Sequence, residues 1–447
     1  MLLLTVIVLI AMFLFSYKLF DRDLFAPPTV VCISFLFSTL CAFYNENTWG
    51  LDFSSKTTIV MIIGIGTFLI GGIFGVFLSN GRNLHRFAFS HQVSPVQAIV
   101  IEKWKVFAVI LFQMFLMVAI YRELMQNVGF LGVSWAQIIH MYRHESMSMV
   151  GQDYSMKLSY LVRQLINIDT ALVFLFSYFV GNNLAIKKKI EVVYLIPIVL
   201  GCVITFMQGF RAEMIRYWVA ILVVWYTVYK RSIGWKSSKE TSKMIKKMTI
   251  SALIVCMVFS SVRAIVGRNV SGNWDPLYYV TFYGGCPVVA LDLFLKEPHN
   301  DNTDDIWGKE TFYFLNQSIG AWLKIPEYRY SISGKGFQRS NNGTYVGNVY
   351  TALRHPIADF GYVGLPVVMF SMGCFFTFFY CKVRRKYCTK KVDFLLLSYS
   401  YCAYTFFLYF FSAYYFFIST IFLKTLLLWY ILHKALMTRF IIRNHNC

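Results

Sequence analysis

Apolar stretches long enough to cross a hydrocarbon core, about 18–25 residues, recur along nearly the whole chain, and nothing else constrains its fold as strongly. They fall near 2–16, 28–44, 58–80, 106–121, 158–180, 190–207, 212–229, 248–265, 358–381, 393–411 and 414–436, which makes eleven. The first is short, with no basic segment before it and no A-x-A-like site after it, and is read as a retained span rather than a cleaved leader. The chain as a whole is too poor in polar residues to dress a soluble domain. Only 14% of its 447 residues are charged, against about 25% in soluble proteins. The expectation is an all-α polytopic integral membrane protein, a single transmembrane domain over 1–447 with about eleven helices.

A net charge of +20 would suit a nucleic-acid binder, so its distribution decides the matter. The connections 17–27, 81–105, 181–190, 230–247 and 382–392 and the tail 432–447 hold 25 Lys and Arg in about 91 residues. The alternate connections, 45–57, 122–157, 208–211, 266–357 and 412–413, hold 13 in about 150. By the positive-inside rule the N-terminus is outside and the C-terminus cytoplasmic, and the long connections 122–157 and 266–357 face outward. The positive charge is then topology plus attraction to anionic headgroups, and no nucleic-acid partner is expected. Of ten cysteines only Cys286 falls in a long outward connection, so no disulfide framework is implied.

No repeat of fixed period is apparent, which counts against a carrier built from matched halves. Segment 266–357 is dense in aromatics, Trp274, Tyr283, Trp307, Trp322, Tyr345 and Tyr350 among them. Rings with polar tips suit the C–H faces of sugars; the plainer alternative is an interfacial aromatic belt. Within this segment 276–295 is apolar enough to lie in the interface or re-enter, and Asp292 and the Gly284-Gly285 pair argue against a lipid-facing span.

Ionisable residues inside spans are costly and are read as functional candidates. Arg163, Arg216 and Arg263 fall near the outer ends of three separate spans, with Arg211 at a short outward turn and Arg268 just outside. Guanidinium groups at that depth are what a lipid-linked phosphate or pyrophosphate needs, since Arg offers planar bidentate donors. The alternative is that each snorkels to ordinary headgroups. Asp169 and Lys424 lie deeper, paired with each other or with backbone groups. Asp21-Arg22-Asp23 matches a D-x-D metal motif only superficially and is read as a topological flank. His140 and His144 share a helix face but show no third ligand, and no metal site is assigned. There is no Walker loop, dinucleotide fingerprint or nucleophile elbow.

Three stretches carry a family resemblance. Leu24-Phe25-Ala26-Pro27-Pro28 precedes a span, Gly209-Phe210-Arg211-Ala212 is a short G-x-R-[GA] turn, and Gly347-Asn348-Val349-Tyr350-Thr351 leads into Asp359-Phe360-Gly361-Tyr362-Val363-Gly364. Together they resemble bacterial O-antigen polymerases, the Wzy-type oligosaccharide repeat-unit polymerases, although Phe210 stands where a small residue is more usual. The resemblance implies a metal-independent, cofactor-free transferase with a GT-C-like fold in the bacterial inner membrane, working at the periplasmic face. Such an enzyme moves a growing glycan from undecaprenyl pyrophosphate onto the non-reducing end of a new undecaprenyl-pyrophosphate-linked repeat unit, generally alongside a chain-length-regulating co-polymerase. In that reading Arg211, Arg216 and Arg263, with Arg163 or Arg268, hold the donor pyrophosphate, and Arg339 and Arg354 the second one. His355 or Asp359 deprotonates the acceptor hydroxyl, with Glu213 in reserve. The structural alternatives are that Asp359 caps a helix and His355 shapes a turn before Pro356. Two rival functions stay open, an O-antigen ligase and a non-enzymatic flippase or carrier for lipid-linked oligosaccharide.

Overall fold

The computed structural model describes residues 1–80, 96–128, 133–148, 158–236, 239–262, 275–297, 306–328, 330, 338–386, 392–415 and 417–437. The helices are α1 (Leu2–Leu19), α2 (Pro27–Tyr44), the single turn α3 (Glu46–Trp49), α4 (Ser55–Asn80) and α5 (Lys103–Val128). Then follow α6 (Trp135–Ser148), α7 (Tyr160–Lys187), α8 (Val192–Met207), α9 (Ala212–Ser232) and α10 (Lys239–Ser261). The last five are α11 (Pro276–Lys296), α12 (Tyr313–Leu323), α13 (Arg354–Arg385), α14 (Phe394–Phe407) and α15 (Thr420–Met437). A small antiparallel hairpin, β1 (Gln338–Arg339) and β2 (Tyr345–Gly347), sits between α12 and α13. Among the described residues nine helices are long and apolar enough to cross a membrane. The chain is an almost wholly helical, multi-pass membrane protein.

Local chemistry sets the helix limits. Pro27 and Pro28 open α2, where a missing N–H costs nothing. Ser159 caps α7 by accepting from the Val162 N–H, and Asp393 caps α14 by accepting from Leu395 N–H at 3.0 Å.

The helices run between two ends. At the basic end, Asp23 in the α1–α2 turn meets Tyr226 late in α9 and Arg384 late in α13, while Arg231 pairs with Asp393 at 2.9 Å. Lys105 at the start of α5 donates to the Leu436 carbonyl of α15. At the opposite, loop end, Thr5 meets Thr58 at 2.8 Å, Ser159 Oγ donates to Glu123 at 2.6 Å, and the Ala352 N–H donates to the Tyr409 carbonyl at 2.8 Å. The tightest pairing is α4 with α13, which run in parallel. A Cβ on Gly71 would come 2.1 Å from the Phe370 carbonyl, and one on Gly373 2.1 Å from that of Phe68. Only glycine lets backbones approach so closely inside a membrane.

α11 passes the length test for a span but does not run end to end. Its first turns reach Arg211, where the loop end of α9 begins, and its Asp292 accepts from Ser54 N–H at 2.9 Å and Thr57 at 2.6 Å, where α4 begins. Both tips therefore touch the same end of the bundle, and the helix lies across it. Its middle crosses α2, where a Cβ on Gly285 would lie 2.6 Å from the Ala42 nitrogen.

The last two apolar stretches differ from expectation. Instead of spans 393–411 and 414–436 joined by two residues, α14 stops at Phe407 and α15 starts at Thr420. The described residues between them, 408–415 and 417–419, are non-helical, with Tyr409, Ala413 and Tyr415 buried. Irregular backbone is tolerated there because protein rather than lipid surrounds it. The Thr405 hydroxyl donates to the Tyr414 carbonyl at 2.7 Å, and Ala352 occupies that of Tyr409.

Candidate functional site

Arg211 sits at the N-cap position of α9, delivered by a turn in which Gly209 takes φ 77°. Its buried guanidinium donates to the Tyr279 hydroxyl at 2.6 Å and the Tyr283 hydroxyl at 3.2 Å, and lies 4.5 Å from the Phe259 ring centre. Among the described residues its hydrogen-bond partners are two phenols and the Phe259 carbonyl, none of them charged. A buried cation with no charged partner among the described residues attracts an anion strongly, because little water screens it. One turn on, Arg216 donates to both carboxylate oxygens of Glu213, at 2.6 and 2.9 Å, and faces the Tyr401 ring at 4.8 Å and that of Phe174 at 5.5 Å. The reserve base Glu213 is thus engaged with a guanidinium.

A second cluster forms around Glu310. Arg354 donates to Glu310 Oε1 at 2.8 Å and lies over the rings of Tyr350 at 4.5 Å and Phe294 at 5.2 Å. His355 Nδ1 is 3.3 Å from the Glu310 carbonyl and 3.8 Å from Oε2. Asp359 accepts from the Glu310 N–H at 3.1 Å and the Thr311 N–H at 2.6 Å, so it ties down the 310–311 turn rather than capping its own helix. The same turn is anchored behind by Tyr330, whose hydroxyl donates to the Lys309 carbonyl at 2.6 Å; burial pushes that phenol up to about 12. Burial likewise raises the Tyr350 phenol, which stays neutral.

α11 holds the two clusters apart at the loop end. Tyr283 belongs to the first and Phe294 to the second, and eleven residues at 1.5 Å each separate them by about 16 Å. The segment 408–415, with Tyr409, Ala413 and Tyr415 buried, runs between them. Tyr409 bonds Ala352 beside the second cluster, while Tyr414 packs on Tyr404, which faces Arg216 in the first.

The other sequence candidates are dispersed. Arg163 is exposed on the first turns of α7 near Tyr142 of α6. Arg339 is exposed on the hairpin, stacked 4.0 Å from the Tyr345 ring centre and bonded to its hydroxyl. Arg263, Arg268 and Trp274 lie outside the described residues. Trp307 stacks on Phe312 at 4.8 Å while remaining 65% exposed, and Trp322 is as open on α12, so both present faces to solvent or headgroups. Tyr283 and Tyr350 serve instead as walls of the arginine sites. Asp169 is buried in α7 against the Gln113 amide at 2.7 Å, whereas Lys424 is exposed on α15; the two are not paired.

Sequence reasoning missed Glu310, and it placed Tyr279 only among the aromatics of 266–357, not beside Arg211. Tyr279 was findable, since Tyr279 and Tyr283 are four apart and share a helix face. Glu310 carried no signal, lying in a polar run without periodicity. No family model, no curated protein and no solved structure matches this chain.

Proposed function

We propose that this chain is a polyprenyl-pyrophosphate-dependent glycosyltransferase that polymerises lipid-linked O-antigen repeat units in the bacterial inner membrane. The observation that carries the reading is the pair of buried arginine sites on one end of the bundle, whose contact residues Tyr283 and Phe294 lie about 16 Å apart along one aromatic helix. A polymerase must hold two lipid-linked pyrophosphates at once, donor and acceptor, at one membrane face. In this reading eleven helices cross, the loop end is periplasmic and the basic end cytoplasmic. The division of Lys and Arg between connections supports that orientation.

Arg211, with Arg216 behind it, takes the donor pyrophosphate. Charge builds on that group as the glycosidic C–O bond breaks, and preformed guanidinium donors in a water-poor cage stabilise it. Arg354 faces the acceptor side, and Trp307, Trp322 and Tyr345 offer open ring faces to sugars. Arginines, rather than a metal ion, meet the leaving group. The test is Arg211→Ala beside Arg211→Lys in the native host at matched protein level, read as the polymer ladder on a gel. Both should lose polymer, by about 10²-fold or more for alanine, and lysine should not restore it because it cannot bind in bidentate fashion. A ladder of normal length and amount from Arg211→Ala would refute the donor-site assignment.

A further inference from the structure

Three side chains on α13, Arg354, His355 and Asp359, converge on Glu310, and each fixes a different part of it. Arg354 holds Oε1, Asp359 holds the backbone N–H, and His355 Nδ1 approaches the carbonyl. What is left over is Oε2, buried, with no hydrogen-bond partner, and 3.8 Å from His355 Nδ1. The adjacent Thr311 hydroxyl is likewise buried and unsatisfied. Leaving buried polar atoms without partners is costly, so a ligand that supplied the missing hydrogen bonds would be held here.

We propose that His355 is the general base of the transfer reaction and that Glu310 is its positioning residue; this rests on reading the chain as a glycosyltransferase. Both groups facing Nδ1 are oxygens of Glu310, so the ring proton sits on Nδ1 and Nε2 carries the lone pair. The competing carboxylates are engaged, Asp359 by the N–H groups of 310 and 311 and Glu213 by Arg216. In the reaction the acceptor hydroxyl gives its proton to Nε2 and its oxygen bonds the anomeric carbon. The bond from that carbon to the donor pyrophosphate breaks, the electron pair leaving with the pyrophosphate, and the imidazolium then returns its proton to water. As the imidazolium forms, a movement of roughly 1 Å brings Glu310 Oε2 into hydrogen-bond range of Nδ1. Burial and then the Arg354 guanidinium push the imidazole down to about 4, against the Glu310 carbonyl and the Asp359 carboxylate, which favour its charged form.

The experiment uses membrane vesicles from the host, carrying its own lipid-linked repeat unit, and measures the rate of unit joining between about pH 3 and 8, a window that brackets the lowered imidazole. His355→Ala should lose about 10²-fold or more. Glu310→Gln should lose on the order of 10²-fold from misplacement, and its acid limb should move to lower pH, because removing a carboxylate lowers an imidazole's affinity for protons. Glu310→Asp should keep the wild-type limb, and the exposed Glu327→Gln should match wild type throughout. A Glu310→Gln rate loss with an unmoved limb means a merely structural role and overturns the proposal, as does a wild-type rate. If both variants behave as wild type while Arg211→Ala still abolishes joining, this assignment fails and the polymerase reading stands. If wild-type vesicles join no units, both fail.

Discussion

Asp23→Ala should be one of the most damaging single substitutions in this protein, although the residue lies far from the proposed chemistry. The Asp23 carboxylate accepts from Tyr226 at 2.6 Å, Tyr380 at 2.5 Å, Arg384 at 2.9 Å and the Phe25 N–H at 3.0 Å, and it is buried. It therefore ties the α1–α2 turn to α9 and α13 at one point. Removing it takes the nearest carboxylate from a buried guanidinium, which costs about 3–5 kcal/mol, and leaves two buried phenols without their acceptor. A loss near 4 kcal/mol corresponds to about a thousandfold in the folding equilibrium. Lys188 and Glu240 form an ion pair of similar length, 3.2 Å, but with side chains 68% and 62% exposed. Lys188→Ala should cost at most about 1 kcal/mol. The assay is heat or denaturant challenge of detergent-solubilised protein, read as the fraction that stays monodisperse, with steady-state abundance alongside. Asp23→Ala/Arg384→Met should recover much of the loss, because both charges are then gone. If Asp23→Ala resembles Lys188→Ala, or the double variant is no better than the single, the reasoning is wrong.

Gly361 takes φ 66°, ψ −169° inside α13, a region open in practice to glycine alone, and nothing within 4 Å would obstruct a Cβ there. Gly361→Ala should therefore cost about 1–3 kcal/mol through backbone strain and, by turning the 354–360 segment, lower polymer yield more than protein level. Equal loss of both would contradict that. Asp169→Asn should be tolerated in the same heat assay, since a side-chain oxygen can still accept from Gln113, whereas Asp169→Ala should cost about 1–3 kcal/mol. Equal damage from the two would show that the residue works as a charge.

The sequence revealed the helices far better than the contacts between them. Charge within or beside apolar stretches is rare enough that Arg211 and Arg216 stood out, and both are buried. Arg163 stood out equally and lies exposed, because hydropathy places a residue along a span but not around its circumference. Glu310 was invisible, since what makes it special is three side chains 44 to 49 positions away. Asp23 was dismissed for a related reason: a short turn rich in charge reads as solvated until Tyr226 and Tyr380 arrive from other helices. The end of α14 was misplaced because 393–436 is almost continuously apolar, and hydropathy does not separate helix from buried irregular chain. In α11 the sequence showed the apolar run and its interruption by Asp292 and two glycines, but not the contacts its two tips make.

The most direct measurement deletes the gene in its native host and resolves the lipopolysaccharide on a gel. The account predicts core carrying one repeat unit and no ladder, since units are still made, moved across the membrane and ligated but no longer joined to one another. Core without any repeat unit would assign the chain to ligation or flipping instead, and an unchanged ladder would contradict the account outright.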